Sequence, residues 1–264
     1  MVKKQQFDPR SEEQAFLASY DAAQFPHPSV AVDVALLTVD GGEMRAVLAP
    51  RAEHPAKGRW SLPGGFVRMD ESLDAAAARV LATKVGIQGI FLEQLYTFGQ
   101  PHRDPRTRVI TVAYYALIPA QRFQINPSVG KDAPTTSLRL DQLRLAPLHV
   151  EWEGETGGPV EALDESTPQR DKLPLAFDHA DILGLVVQRL RGKLDYAPIG
   201  FELLPRDFTL RQLQSIHETI LGRSLNKDSF RRRLLASGLV ASTGKLEQAV
   251  GHRPAELYRF AKRN

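Results

Sequence analysis

The 264-residue sequence predicts an α/β fold with a smaller module of two helices and a hairpin at its C-terminal end. Three observations predict it. Apolar, β-branched runs fill the first half and enclose one alanine-rich helical stretch. Two helical patterns followed by two short strand patterns close the chain. Charge is also divided between the parts. Residues 196–264 hold 12 Lys and Arg against 6 Asp and Glu, a balance of +6, whereas the remainder holds 22 against 25. A basic module on an acidic body points to a polyanionic partner for the smaller part, although charge alone also suits a merely soluble surface.

The elements follow in order. A polar helix is expected around residues 12–25, ended by Pro26, His27 and Pro28. SVAVDVALLTV (29–39) reads as a buried strand, and Asp40, Gly41 and Gly42 make a tight turn into MRAVLAP (44–50), a hairpin. FLEQLYTFG (91–99) and RVITVAYYALI (108–118) are two further strands, separated by the polar loop QPHRDPRTR (100–108). Residues 126–175 carry six prolines and an acidic run at 151–158 that includes Trp152. That length exceeds an ordinary connection, so this stretch is expected to be a functional loop or an insertion. Asp178 is expected to cap a helix through Arg191, whose stripe is Ile182, Leu183, Val186, Val187 and Leu190. Residues 192–200 read as a linker, with a boundary near 195.

Composition excludes several classes. A hydrophobic content of 42% with 25% charged residues is that of a soluble globular protein, able to build a core. No apolar run is long enough to span a bilayer, and the opening MVKKQQFDPRSEEQ lacks the apolar centre of a secretory signal. The absence of Cys rules out disulfides, cysteine nucleophiles and thiolate metal sites. A cytoplasmic protein is expected.

In the C-terminal module, Thr209 and Gln212 stand in a capping-box relation ahead of the stripe Leu210, Leu213, Ile216 and Ile220, and Gly222 suits the helix end. A second helix, capped by Asn226, runs from Lys227 to about Ala236, with Phe230 and Leu234 towards the core and Ser229, Arg232 and Arg233 towards the other side. Residues 239–243 and 255–260 pair as strands around a loop with Lys245, His252 and Arg253. This layout is that of a winged helix-turn-helix, in which the second helix enters the major groove. Lys227, Ser229, Arg231, Arg232, Arg233, Lys245, His252 and Arg253 are the expected DNA contacts. The alternative is that residues 231–233 are only the solvated face of a packing domain.

The stretch GFVRMDESLDAAAARVLATKVGI (65–87) resembles the Nudix box, G-x5-E-x7-R-E-U-x-E-E-x-G-U with U aliphatic. Gly65, Glu71, Arg79, Leu81, Gly86 and Ile87 fall in register. Val80, Thr83 and Lys84 stand where the family pattern has glutamates. Hard divalent cations are held by oxygen ligands, mostly carboxylates. Positions 80 and 84 share one helix face, which here offers an isopropyl group and an ammonium. No catalytic residue and no metal ligand are therefore expected. Taken over the whole chain, the sequence resembles the Nudix-related transcriptional regulators of NAD metabolism, the NrtR type. The resemblance rests on residues 29–33, 54–67, 93–99, 103–106 and 177–179, and on the Leu-Leu-Pro, Phe-Thr-Leu and Phe-Arg-Arg-Arg segments of the C-terminal module.

The resemblance implies an α/β/α Nudix sandwich with a mixed sheet. It divides the chain into an N-terminal helical segment (1–28), a ligand-sensing domain (29–195, with an insertion at about 147–173) and a DNA-binding winged helix (196–264). It also implies a homodimer on double-stranded DNA with a palindromic operator, repressing transcription in response to ADP-ribose, a related nucleotide or a sugar, with no cofactor and no membrane partner. For the ligand, Gly64 and Gly65 allow close backbone approach, Arg51, Arg103 and Arg108 offer bidentate contacts to phosphate, and Phe66 or Phe98 offers a stacking face. The alternative is a Nudix hydrolase of ADP-ribose-like compounds that draws metal ligands from Glu93 or the 151–155 acidic run.

Overall fold

The long strand β1 (Ser29–Asp40) runs through the middle of the molecule, and all its residues from Val32 to Thr38 are buried. Such a strand is covered on both faces, which explains its near-continuous apolar sequence. Gly41 and Gly42 both take positive φ, the conformation that a two-residue hairpin requires, and turn the chain into β2 (Glu43–Pro50). Two short strands follow, β3 (Trp60–Ser61) on β2 and β4 (Gly64–Phe66) on β1. Helix α1 (Pro9–Ser19) and a 3-10 turn at Ala22–Gln24 precede this sheet. Helix α2 (Leu73–Lys84) comes after β4, then β5 (Phe91–Phe98) and β6 (Val109–Leu117). The computed structural model describes residues 9–123, 142–151, 159–194, 196–248, 251 and 253–261.

The sheet is completed by β7 (Arg144–Val150) and β8 (Val160–Ala162), in the order β5-β6-β1-β2-β7-β8. β1 and β6 are parallel, while the other pairs are antiparallel, so the sheet is mixed. Alternation along β1 sends Val32, Val34 and Leu36 to one face, against Ala76, Ala77, Val80 and Leu81 of α2. Ala35 and Leu37 go to the other, against Ile182, Leu183, Val186 and Val187 of helix α3 (His179–Lys193). The result is the α/β/α sandwich.

Two expectations change. Among its described residues, part of the proline-rich stretch is sheet, since 144–150 and 160–162 are strands and Leu163 bridges Lys172. Pro147 fits because its carbonyl accepts the Leu163 N–H (2.9 Å) while its missing N–H is not needed. The acidic run from Trp152 to residue 158 lies outside the described residues. The N-terminal helix stops at Ser19, and Phe16 in it forms an exposed aromatic ladder with Tyr20 and Phe25 beyond it. Among the described residues no helix is long and apolar enough to cross a membrane.

After α3 comes a 3-10 turn at Ile199–Leu203, then α4 (Leu210–Leu221), α5 (Lys227–Ala236), β9 (Val240–Leu246) and β10 (Glu256–Phe260). The Thr209–Gln212 capping box closes in both directions, and Gly222 ends α4 in the left-handed region at φ 66°. β9 and β10 form an antiparallel pair, and Phe208 exchanges two backbone hydrogen bonds with Tyr258 (3.0 and 2.7 Å). The apolar layer under α3 continues without a break into this module through Ile199, Leu203, Phe208, Leu213, Ile216, Ile220 and Phe230. Polar ties reinforce the joint. Arg191 Nη2 donates to the Leu221 carbonyl (3.1 Å), and Thr219 Oγ1 to that of Gly42 (3.3 Å).

Leu213 is fully buried in that shared layer. Leu213→Ala should cost about 2–5 kcal/mol, as cavity-forming core truncations do. Urea denaturation measures it, and a loss below about 1 kcal/mol would show that the joint is not part of the core.

Candidate functional site

The site is built around one carboxylate. Asp33 lies in the apolar centre of β1, with only 8% of its surface exposed. A buried carboxylate needs partners, and each neighbouring element supplies one. Thr111 Oγ1 on β6 donates to Asp33 Oδ2 (2.8 Å), and Arg103 Nη2 lies 3.6 Å from the same oxygen. His179 Nε2, at the start of α3, is 3.7 Å from Oδ1. The Leu62 N–H donates to His179 Nδ1 (3.0 Å), so the ring's proton sits on Nε2, facing Asp33. Burial pushes the His179 pKa below its ordinary value, which keeps the ring neutral.

Above this network opens a cleft of about 450 Å³, within the range of small-molecule sites. Its walls come from the loop after β2 (Arg51, Glu53), from β4 (Gly64, Gly65, Phe66), from Lys84 of α2, from the 103–106 loop and from Phe177. Gly64 cannot be replaced by a larger residue without displacement. A Cβ there would stand 2.1 Å from Asp33 Oδ1.

Of the expected ligand residues, Arg51, Gly64, Gly65, Phe66 and Arg103 line the cleft, and Phe98 and Arg108 do not. Phe98 packs on the α3-side core and meets Tyr96 edge-on at 5.5 Å, because its place in β5 points it to that face. Arg108 turns to the Gln100 carbonyl (3.2 Å). Arg103 is present but engaged. Its bidentate contact goes to Asp178 (2.8 and 2.5 Å), and its side chain is 5% exposed. Burial opposes its charge, yet the Asp178 hydrogen bonds and the nearby carboxylates raise its pKa. Asp178 stands at the N-cap of α3 but makes no capping hydrogen bond, since Arg103 takes its carboxylate. Arg51 donates through Nε to the Pro55 carbonyl (2.8 Å) and covers the Phe177 ring at 4.7 Å. Asp33, Asp104, Arg106, Phe177 and His179 were not among the expected ligand residues, whereas Lys84, an ammonium that the sequence already offers to a ligand phosphate, does line the cleft. The one sequence signal was a carboxylate inside an otherwise apolar strand, which is more informative than any exposed arginine.

The box residues divide in the structure. Glu71 and Arg79 form a bidentate pair (2.8 and 2.5 Å), Arg79 also donates to the Phe66 carbonyl (3.1 Å), and Glu71 accepts the Arg68 N–H (2.8 Å). This clasp ties the loop after β4 to α2. The Arg79 hydrogen bonds hold the Glu71 carboxyl down at about 2. Val80 lies in the core between α2 and β1, Thr83 donates to the Arg79 carbonyl (2.7 Å), and Lys84 faces the cleft. Glu93, the alternative metal ligand, sits on the opposite face of the sheet, held by Lys193 Nζ (2.5 and 2.6 Å). Among the described residues no cluster of three His, Asp or Glu is arranged to hold a metal ion.

In the winged module, Lys227, Arg231, Arg232 and Arg233 of α5 are exposed, with Arg232 on the side opposite the buried Phe230, and Ser229 is half-buried beside its Asn226 cap. Lys245 on β9 and Arg253 before β10 are exposed. His252 lies outside the described residues.

A mixed sheet between two helices, with a Glu–Arg clasped box loop and an appended winged helix, defines a two-domain protein of the Nudix class with a DNA-binding type of module. Comparison with known proteins agrees. A NUDIX domain model matches residues 27–158 and an NrtR DNA-binding winged helix domain model matches residues 200–260. The chain is 40% identical over 253 residues, 95% of its length and 89% of the relative's, to the ADPR responsive transcriptional repressor NtrR of Acinetobacter baylyi. It superposes on Shewanella oneidensis NrtR complexed with a 27mer DNA with a TM-score of 0.68 at 31% identity, covering 88% of this chain and 93% of that one. A shorter match, 34% over 88 residues, is to an ADP-ribose pyrophosphatase of Methanocaldococcus jannaschii, spanning 33% of this chain and 50% of that protein. The chain belongs to the NrtR family of Nudix-related proteins with a winged helix.

Two outcomes follow from this geometry. Asp178→Asn removes one partner of a buried ion pair and should cost about 3–5 kcal/mol, read by thermal or urea unfolding. A loss within about 0.5 kcal/mol would show that the pair is not buried in solution. The Glu71 carboxyl, followed by NMR, should titrate near about 2, and in Arg79→Gln it should return towards the ordinary glutamate value of about 4.3. Because the folded pKa is depressed, the clasp's stabilisation is present above about pH 4.3 and disappears as pH falls towards the folded value.

Proposed function

We propose that this chain is a transcriptional repressor that responds to ADP-ribose or a closely related nucleotide. Residues 196–264 bind operator DNA and residues 29–195 bind the effector without hydrolysing it. The observation that carries this reading is similarity over nearly the full length, in both parts, to a protein described as an ADP-ribose-responsive repressor. Two features of the molecule support it. The cleft has the volume and the cationic and aromatic lining that suit a diphosphate joined to ring systems. The module carries three exposed arginines, Arg231, Arg232 and Arg233, on its second helix, the element that a winged helix presents to the major groove.

The Nudix frame acts as a scaffold. A divalent ion asks for several carboxylate oxygens, whereas Val80 is packed in the core, Thr83 is spent on a backbone carbonyl and Glu71 is held by Arg79. The residues present do not fit a metal centre at the box. In this reading the chain acts in the cytoplasm as a homodimer on a palindromic operator, whose half-sites would mirror the two-fold axis of the dimer.

Operator binding can be tested on an inverted-repeat duplex selected from a random library, by fluorescence anisotropy with the full chain. ADP-ribose should release the duplex, and the protein should sediment as a dimer. Arg232→Ala and Arg233→Ala should each weaken binding and flatten its salt dependence by about one ion if they meet phosphates. If one reads a guanine edge, its loss should cost about 1–3 kcal/mol at a single base pair. A folded double variant that binds like the parent would overturn the assignment of α5 as the reader. Turnover of ADP-ribose with Mg²⁺ should stay far below the ordinary enzyme median of about 10 per second. A rate near that value would favour the pyrophosphatase reading instead.

A further inference from the structure

The cations around the cleft are not equivalent. Arg103 is committed to Asp178 and Asp33, and Arg106 to Asp104 through two hydrogen bonds (3.0 and 2.7 Å). Arg79 is committed to Glu71, and Arg51 gives its Nε to the Pro55 carbonyl. Lys84 differs from all four. It lines the cleft half-buried, and makes no hydrogen bond or ion pair among the described residues. A lysine in the last turn of a helix gains from the helix dipole, but that favours an ammonium in water as much as one directed into a cleft. Here burial lowers the Lys84 pKa, with Arg51 and Arg79 acting in the same direction and Asp33 against them. A half-buried ammonium with no hydrogen-bond partner among the described residues costs free energy that an arriving anion recovers.

We propose that Lys84 is the cation that binds the phosphates of the effector, so that effector binding needs no divalent metal. The inference rests on reading the cleft as a nucleotide site. Its position supports it. Lys84 is four residues after Val80, on the face of α2 directed at β4, where Gly65 is close enough to the helix that a Cβ would touch Val80 Cγ2 at 3.4 Å. Gly64 and Gly65 bring the backbone of β4 to the same wall of the cleft. A phosphate there meets a fixed positive charge carried by the chain itself.

Isothermal titration calorimetry of the full-length protein with ADP-ribose, in EDTA and in Mg²⁺, tests this. The parent should bind with the same affinity in both buffers. Lys84→Gln should lose about tenfold or more, the weight of one charge-assisted hydrogen bond, and should lose part of the salt dependence. Lys84→Arg, which keeps the charge, should retain most of the affinity. Operator binding without effector should be unchanged in both variants, which separates a ligand role from a structural one. If the parent binds ADP-ribose and Lys84→Gln binds it equally well, or if EDTA abolishes parent binding, this inference is overturned and the nucleotide reading stands. If the parent binds no ADP-ribose in either buffer, the nucleotide reading falls and the inference with it.

Discussion

A carboxylate in the middle of the central strand is the constraint on which the rest of the site depends. Asp33 is flanked by Val32 and Val34, both fully buried, so its charge has no route to bulk water along the strand. It is held instead by three elements distant in sequence, namely Thr111 on β6, Arg103 in the loop before it and His179 at the start of α3. Leaving any of these unmade would strand a buried polar group, at a cost comparable to a large share of a domain's stability. The same carboxylate forbids a side chain at position 64, so β4 and the box loop approach β1 as closely as backbone allows.

The consequence reaches the far end of the molecule through α3. One end of this helix is set by His179 and by the Arg103–Asp178 pair beneath the cleft. The other end gives Arg191 to the last turn of α4. Between them, Ile182, Leu183, Val186 and Leu190 belong to a layer that includes the core of the winged module. Close-packed interiors transmit displacement rather than absorb it. The cleft and the DNA-binding type of module are therefore ends of one packed element rather than two bodies joined by a free linker. Of the stretch 192–200, which reads as a linker in the sequence, Gly192 and Lys193 belong to α3 and Ile199 and Gly200 are buried in a 3-10 turn.

The retained parts of the box also find a physical role. Glu71 and Arg79 clasp the loop to the helix, and their geometry uses both oxygens of the carboxylate. That contact holds the cleft wall in shape irrespective of any chemistry in the cleft. Val80, in one of the glutamate positions, fills the core against β1 and β4, a place an unpaired carboxylate could occupy only with a compensating cation. The frame of the motif and its chemistry are thus separable, and this chain keeps the frame.

Much of the fold was legible in the sequence because it depends on local periodicity. The apolar run of β1, the Gly41–Gly42 turn, the capping box at Thr209 and the stripe of α4 each carry their own signal, and the structure forms each of them. The charge division between the two parts is likewise a property of composition alone. The prolines of 144–163 misled, because a proline is tolerated wherever its missing N–H is not needed, and only the neighbouring strand decides that. The site was legible in part. Glycines at 64 and 65 and arginines at 51 and 103 lie where the motif segments suggested, but the sequence does not say which arginine is free. Arg103 is neutralised by Asp178, 75 residues away, and Phe98 is turned to the other face of the sheet. Sequence determines which side chains exist and their local geometry. Partnership between buried charges was decided only by the tertiary structure, because it depends on which strands and helix ends are brought within about 4 Å of one another, the range in which Coulomb interactions in a poorly hydrated interior are strong.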